Sequence, residues 1–234
     1  SVVFSPNGKR AYVANTNGRT ISVITVATDT VTSTISGLDQ LLGSVKLSPN
    51  GKKLYVTIPN TRTVAVIDPA SGAVTATIEL AVDSYPEAMA ISPNGKKAYV
   101  SNFPDDTISV LNLVTNTLTS TLELPDGSDP MALAFSPNGK KAYVANDGGS
   151  ISVINVATDT LASPIVPANV SPISLAFSPN GKKLYVGERR NGAVLVVNVA
   201  TGTVTSTIDL LDGEWPAAVA LTPNGKKLYV ANSN

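Results

Sequence analysis

AFSPNGKKAYVAN, residues Ala134 to Asn146, decides the fold, because close copies of it occur five more times in the chain. The turn within it recurs as SPNGK or TPNGK at Pro6, Pro49, Pro93, Pro137, Pro179 and Pro223, at spacings of 43, 44, 44, 42 and 44 residues. A fixed period of that length means stacked supersecondary units, none of which can bury its apolar faces alone. Within one unit, Met131 to Phe135 reads as a short apolar strand. The Ser-Pro-Asn-Gly after it suits a tight turn, with Pro second and Gly at a left-handed bulge position. The hairpin's second strand is KAYVAN (Lys141 to Asn146), and a third follows from Ile151 to Thr158, rich in β-branched residues. A Thr-rich fourth strand is clearest as TVTSTI, Thr203 to Ile208. No segment holds a helical period over three turns, and Pro and Gly fall mainly between strands.

Four-stranded antiparallel units of this length predict an all-β fold, a β-propeller whose blades pack face to face. The repeats run 1–43, 44–87, 88–130, 131–172, 173–216 and 217–234 within one propeller domain, giving five complete blades and a terminal hairpin. That hairpin leaves Tyr229 and Val230 on an unpaired edge, so the sequence predicts an incomplete piece. A ring of six, finished by strands preceding Ser1, is favoured; seven is the alternative, and pairing of the edge with another chain is a third outcome. The second strands read AYVAN, LYVTI, AYVSN, AYVAN, LYVGE and LYVAN, and are followed by third strands such as TISVI, TVAVID and TISVLN. This pattern resembles the YVTN-repeat propeller family over essentially the whole chain. The resemblance implies the fold and an exported setting, extracellular or at a bacterial or archaeal cell surface as in surface layers. It does not imply an activity, because the matching residues are structural. The family's usual SPDG turn is SPNG or TPNG here, a conservative change for turn geometry.

The 234 residues include no cysteine and no histidine, which excludes Cys or His nucleophile–base pairs and the usual zinc, haem and iron–sulfur ligand sets. No apolar run approaches the roughly 20 residues of a spanning helix, so membrane insertion is not expected. The 17 basic and 17 acidic residues balance. Their distribution does not: 12 of the basic residues, such as Lys52 and Lys53, directly follow the Asn-Gly turns and map to one rim of the propeller. Most carboxylates map to the opposite loops, here called the top loops, which join second to third strands and fourth strands to the next blade. The basic rim is expected to serve hairpin solubility. No nucleic-acid partner is expected, because aromatics do not interleave those lysines.

Six tyrosines and three phenylalanines occupy repeat positions expected in the core, which leaves Tyr85, Phe103 and Trp215, all in top loops. Tyr85 and Phe103 belong to one blade and are expected to be neighbours. Aromatic rings beside carboxylates suit carbohydrate, peptide or cationic ligands, since the ring supplies apolar contact while the carboxylates accept hydrogen bonds; the competing role is to plug gaps between blades. The candidate ligand-binding set is therefore Tyr85, Phe103, Asp105, Asp106, Asp129, Glu214 and Trp215. To these are added Glu188, Arg189 and Arg190 of GERRNGA (Gly187 to Ala193), where the fifth blade departs most from its siblings. No catalytic residue is assigned. Carboxylates including Asp83, Asp126 and Asp212 offer oxygen ligands that suit Ca²⁺, but none has EF-hand spacing, so no cofactor is assigned and metal ligands stay unassigned. The expected function is a non-catalytic scaffold or recognition domain that binds a protein or a polar or carbohydrate ligand through the acidic top loops. The alternative is a metal- or carboxylate-dependent hydrolase or lyase, lactonase- or glycosidase-like, with its site at the upper channel mouth.

Overall fold

The computed structural model describes residues 1–38, 40–167, 169–211 and 214–233. Among these residues the chain forms 22 strands. The first sheet contains β1 to β4 (Val2–Phe4, Arg10–Asn15, Thr20–Thr25, Thr30–Ile35) and the second β5 to β8 (Val45–Leu47, Leu54–Ile58, Thr63–Ile67, Val74–Glu79). The third has β9 to β12 (Pro86–Ile91, Lys97–Asn102, Thr107–Asn112, Thr117–Glu123), and the fourth β13 to β16 (Pro130–Phe135, Lys141–Asn146, Ser150–Asn155, Thr160–Ile165). The fifth has β17 to β20 (Pro172–Phe177, Lys183–Glu188, Ala193–Asn198, Thr203–Asp209), and β21 and β22 (Trp215–Leu221, Leu228–Ser233) form the hairpin. Each four-stranded sheet keeps simple chain order. This is the expected β-propeller of four-stranded antiparallel blades, five complete and one a hairpin. Its contacts divide it into two compact units, Ser1–Thr121 and Leu122–Asn234.

The repeated turn closes each hairpin with a side-chain lock. In the third blade Ser92 Oγ donates to Asn94 Oδ1 at 2.8 Å and accepts from the Lys97 N–H at 3.0 Å, while the Lys96 N–H donates to Asn94 Oδ1 at 3.0 Å. Gly95 follows at φ 69°. The same bonds recur around Asn7, Asn50, Asn138, Asn180 and, with Thr in place of Ser, Asn224. The turn glycines also seat the preceding blade. A Cβ built on Gly51 would lie 3.1 Å from Pro6 Cδ, and one on Gly181 3.3 Å from Pro137 Cδ. The repeat thus carries one contact between blades as well as a turn.

In the first unit, first strands touch first strands, β1 with β5 and β5 with β9. In the second unit β13 touches β17 and β17 touches β21. The first strand is therefore the inner edge of each blade and the fourth its outer edge, which explains why β4 and β20 are almost wholly exposed and Thr-rich. Threonine supplies β-propensity without an apolar outer surface. It also repairs a bulge. Thr32, Thr75 and Thr205 are the extra residues where the third- and fourth-strand registers slip, and their hydroxyls donate to the carbonyls of Val23 at 3.3 Å, Val66 at 3.1 Å and Val196 at 3.0 Å.

Between blades the core is aliphatic and tyrosine-based. In the first unit Tyr12 packs with Val45, Leu54 and Val56, and Tyr55 with Met89, Ala98 and Val100. In the second, Tyr143 meets Phe177 edge-on, with ring centroids 5.3 Å apart, amid Leu184 and Val186. Two aromatics expected in the core are exposed instead. Phe4 and Tyr229 lie in β1 and β22, on faces that no further blade of their own unit covers.

Candidate functional site

Where first strands begin at the top, the same device appears four times. Pro86 pairs with Asn102, Pro130 with Asn146, Pro172 with Glu188 and Pro216 with Asn232, and the register slips directly after each pair. A strand start beside a bulge is where a residue without an N–H fits. The residues before these prolines are Tyr85, Asp129, Ser171 and Trp215, each eight residues ahead of its turn proline. Opposite them, the Phe103 N–H donates to the Tyr85 carbonyl at 3.0 Å, Asp147 to Asp129 at 2.9 Å and Arg189 to Ser171 at 3.0 Å. Trp215 pairs in register with Ser233. Each of these blades thus presents two adjacent side chains at fixed backbone positions, and those two differ in every blade. The expected closeness of Tyr85 and Phe103 is met through this bond. Asp147 and Ser171 are not among the sequence candidates; the recurring Xaa-Pro dipeptide is a signal for Ser171, which precedes Pro172.

In the first unit Tyr85 borders a cavity of about 520 Å³. One wall is a single 3-10 turn, Pro59–Thr61, closed by Arg62 at φ 57°, whose N–H returns to the Pro59 carbonyl at 3.1 Å. The Arg62 guanidinium donates to the Val82 carbonyl and so ties this turn to the loop carrying Asp83 and Tyr85. Pro104 and Asp105 complete the lining. Tyr85 is 41% exposed and Asp105 is exposed, while Phe103 is partly buried. An aromatic face, two carboxylates and a guanidinium therefore share one open cavity, a set able to accept hydrogen bonds from hydroxyl or ammonium groups lying against a ring.

The second unit is organised differently. Glu188 is fully buried at the position where four other blades carry Asn and the second carries Ile58. Its carboxylate accepts the N–H groups of Ser171 at 2.8 Å, Arg190 at 2.6 Å and Asn191 at 2.9 Å, and thereby shapes the GERRNGA loop from within. The corresponding Asn102 instead donates to Thr107 and Ser109, and its Oδ1 is buried without a partner. Arg189 reaches the neighbouring blade and pairs with Asp147, which also accepts from Ser171 Oγ. No side chain is tolerated beside this pair at Gly148, where a Cβ would overlap the Gly127 carbonyl oxygen at 1.8 Å.

Of the residues singled out by sequence, Tyr85 and Asp105 line the first unit's cavity, and Phe103 is joined to Tyr85 by its backbone N–H. Asp106 and Asp129 occupy left-handed positions at φ 50° and 51°. Glu188 faces inward, Arg189 spans two blades, and Arg190 is exposed. Glu214 is half-buried next to Trp215, which is 51% exposed. Among the described residues no three acidic groups converge in a way that would hold a metal ion, and Asp212 lies outside them.

The model of a family described as lactonase, 7-bladed β-propeller, matches residues 1–119, 57–166 and 113–234, together the whole chain. The match supports the propeller expected from the repeats, and its description carries the blade number that ranked second by sequence. Among solved structures, a chain of Kuenenia stuttgartiensis hydrazine synthase superposes with a TM-score of 0.89 at 23% identity, covering 98% of this chain and 72% of that one. At that identity the likeness concerns the fold alone. No curated protein sequence matches the chain.

Proposed function

The chain belongs to the lactonase, 7-bladed β-propeller family, a fold in which a constant frame carries variable loops, and we propose that it acts as a recognition domain binding a polar ligand through its top loops. One observation carries this reading. In a frame where turn and core residues repeat almost unchanged, the two adjacent top positions hold Tyr85 and Phe103, then Asp129 and Asp147, then Ser171 and Arg189. Chemistry that changes from blade to blade on a fixed backbone suits recognition better than it suits one repeated structural task. The cavity beside Tyr85 favours carbohydrate or cationic peptide groups, and the setting that fits the YVTN-like pattern is extracellular. The test is a glycan array and a peptide array probed with the chain, followed by titration of any hit. Tyr85→Ala combined with Asp105→Asn is expected to weaken the hit at least about tenfold with melting almost unchanged. Equal weakening on replacing Lys52 and Lys53 of the opposite rim would overturn the reading.

The family match favours a second reading, a lactonase-like hydrolase using a carboxylate of the same loops. Its test is turnover of lactone, ester and glycoside substrates with and without Ca²⁺. Activity abolished by Asp83→Asn or Asp105→Asn would move the assignment to hydrolysis, and background turnover throughout would leave recognition.

A further inference from the structure

Three residues before each turn proline stand Val3, Lys46, Ala90, Ala134, Ala176 and Ala220. Each pairs across to the repeat tyrosine of its blade, as Ala90 does with Tyr99 and Lys46 with Tyr55. Lys46 alone brings a charge to this position. It lies on β5, the inner edge of its blade, and is partly buried. Eleven other lysines all sit at the Asn-Gly rim.

The direction of Lys46 follows from the register. The Thr57 N–H donates to the Ser44 carbonyl, and Thr57 Oγ1 accepts from the Ser44 N–H at 2.7 Å and donates to the Glu87 carbonyl at 3.2 Å. Ser44, Lys46, Tyr55 and Thr57 therefore share the blade face that meets β9, whereas Val45 and Leu47 face the first blade. Among the described residues the elements packed on β5 are β1, β2, β6 and β9. β6 contributes Tyr55, which pairs with Lys46, and Glu87 is the titratable residue of β9. The Tyr12 and Arg10 of β2 belong to the Val45 side and the rim, β1 contributes none, and the Ser1 hydroxyl accepts from the Val45 N–H. Lys46 makes no ion pair or hydrogen bond among the described residues. An amine against an inner wall, with no carboxylate bonded to it among the described residues, at a position where alanine satisfies four other blades, breaks a local rule, and such departures mark function.

We infer that Lys46 is a reactive amine at the inner wall of the first unit, a site that captures small aldehydes or ketones as an imine. The neutral Nζ adds to the carbonyl carbon, the C–N bond forms, and the carbonyl oxygen leaves as water with both amine hydrogens, so no oxidant or reductant is consumed. Burial supports this in two places. It holds the Lys46 ammonium below the usual lysine pKa, and it raises the Glu87 carboxyl above the usual carboxylate range, so that an acid form able to protonate the departing oxygen is favoured on the adjoining inner strand.

The experiment is trace reductive methylation of the folded chain with formaldehyde and cyanoborohydride at about pH 7, mapped lysine by lysine by mass spectrometry. Lys46 is expected to react at least about threefold faster than the median rim lysine, with the advantage vanishing in urea and shrinking as pH approaches the usual lysine pKa. Lys46→Ala, the residue of Ala90 and Ala134, is expected to keep the fold and abolish the fast site. A Lys46 rate equal to or below that of the rim lysines across the same pH series overturns the proposal, whatever ligand the top loops bind.

Discussion

The ring of Pro49 lies against Gly95: a Cβ added to that glycine would come within 3.2 Å of Pro49 Cδ. Gly8 occupies the same turn at nearly the same φ, 67° against 69°, with nothing within 4 Å. The two positions separate backbone strain from contact between blades. Gly8→Ala carries only the left-handed cost of about 1 kcal/mol. Gly95→Ala carries that cost and the displacement of a proline ring, about 1 kcal/mol or more in addition. Urea unfolding of both variants checks this, and equal losses would show that the stacked turns contribute nothing to blade packing.

Much of this frame was legible because each element of it repeats. The spacing of Pro6, Pro49, Pro93, Pro137, Pro179 and Pro223 was enough to place strands, turns and blade order. Single sites were harder to read. Glu188 reads in the sequence as a ligand-binding candidate in a divergent loop, because nothing in GERRNGA announces that three backbone amides converge on it. Ser171 is not among the sequence candidates, although it shares its register with Tyr85 and Asp129. Phe4 and Tyr229 match the core pattern locally, but burial depends on a neighbouring blade, which a local pattern does not encode.

Glu188 supplies a direct test of the buried carboxylate. Glu188→Ala leaves the amides of Ser171, Arg190 and Asn191 without their acceptor, and such orphaned buried donors cost about 2–4 kcal/mol in total. Glu188→Gln retains one acceptor oxygen and is expected to lose roughly half as much. Hydrogen exchange at the three amides, compared between the two variants, distinguishes loss of these bonds from general loosening.

The Asp147–Arg189 pair joins two blades at the top of the second unit, with side chains 20% and 45% exposed. Partial exposure limits its strength, and a double-mutant cycle with Asp147→Asn and Arg189→Gln is expected to return a coupling of about 0.5–1 kcal/mol that fades in high salt. A coupling near zero at low salt would mean that Ser171 alone holds Asp147.

Alkaline stability follows from the blade tyrosines. Tyr55 is buried between the second and third blades, and desolvation of the phenolate pushes its pKa from 10.0 up to about 12. Tyr143 is shifted in the same direction by the same cause. A raised pKa means that the folded state holds the phenolic proton more tightly than the unfolded chain does. Its contribution is fully present below pH 10, the unfolded value, and is lost as pH rises through about 12. Folding stability is therefore expected to fall by up to about 2 kcal/mol across that window on account of Tyr55. Tyr55→Phe removes the ionisable group while keeping the ring, so its stability should be flatter between those pH values, with a residual slope from Tyr143. Denaturant midpoints measured in steps from pH 9 to pH 12, together with phenolate absorbance, check both parts. Parallel pH profiles for the two proteins would show that Tyr55 ionises without disturbing the packing of Met89 and Val100 against it.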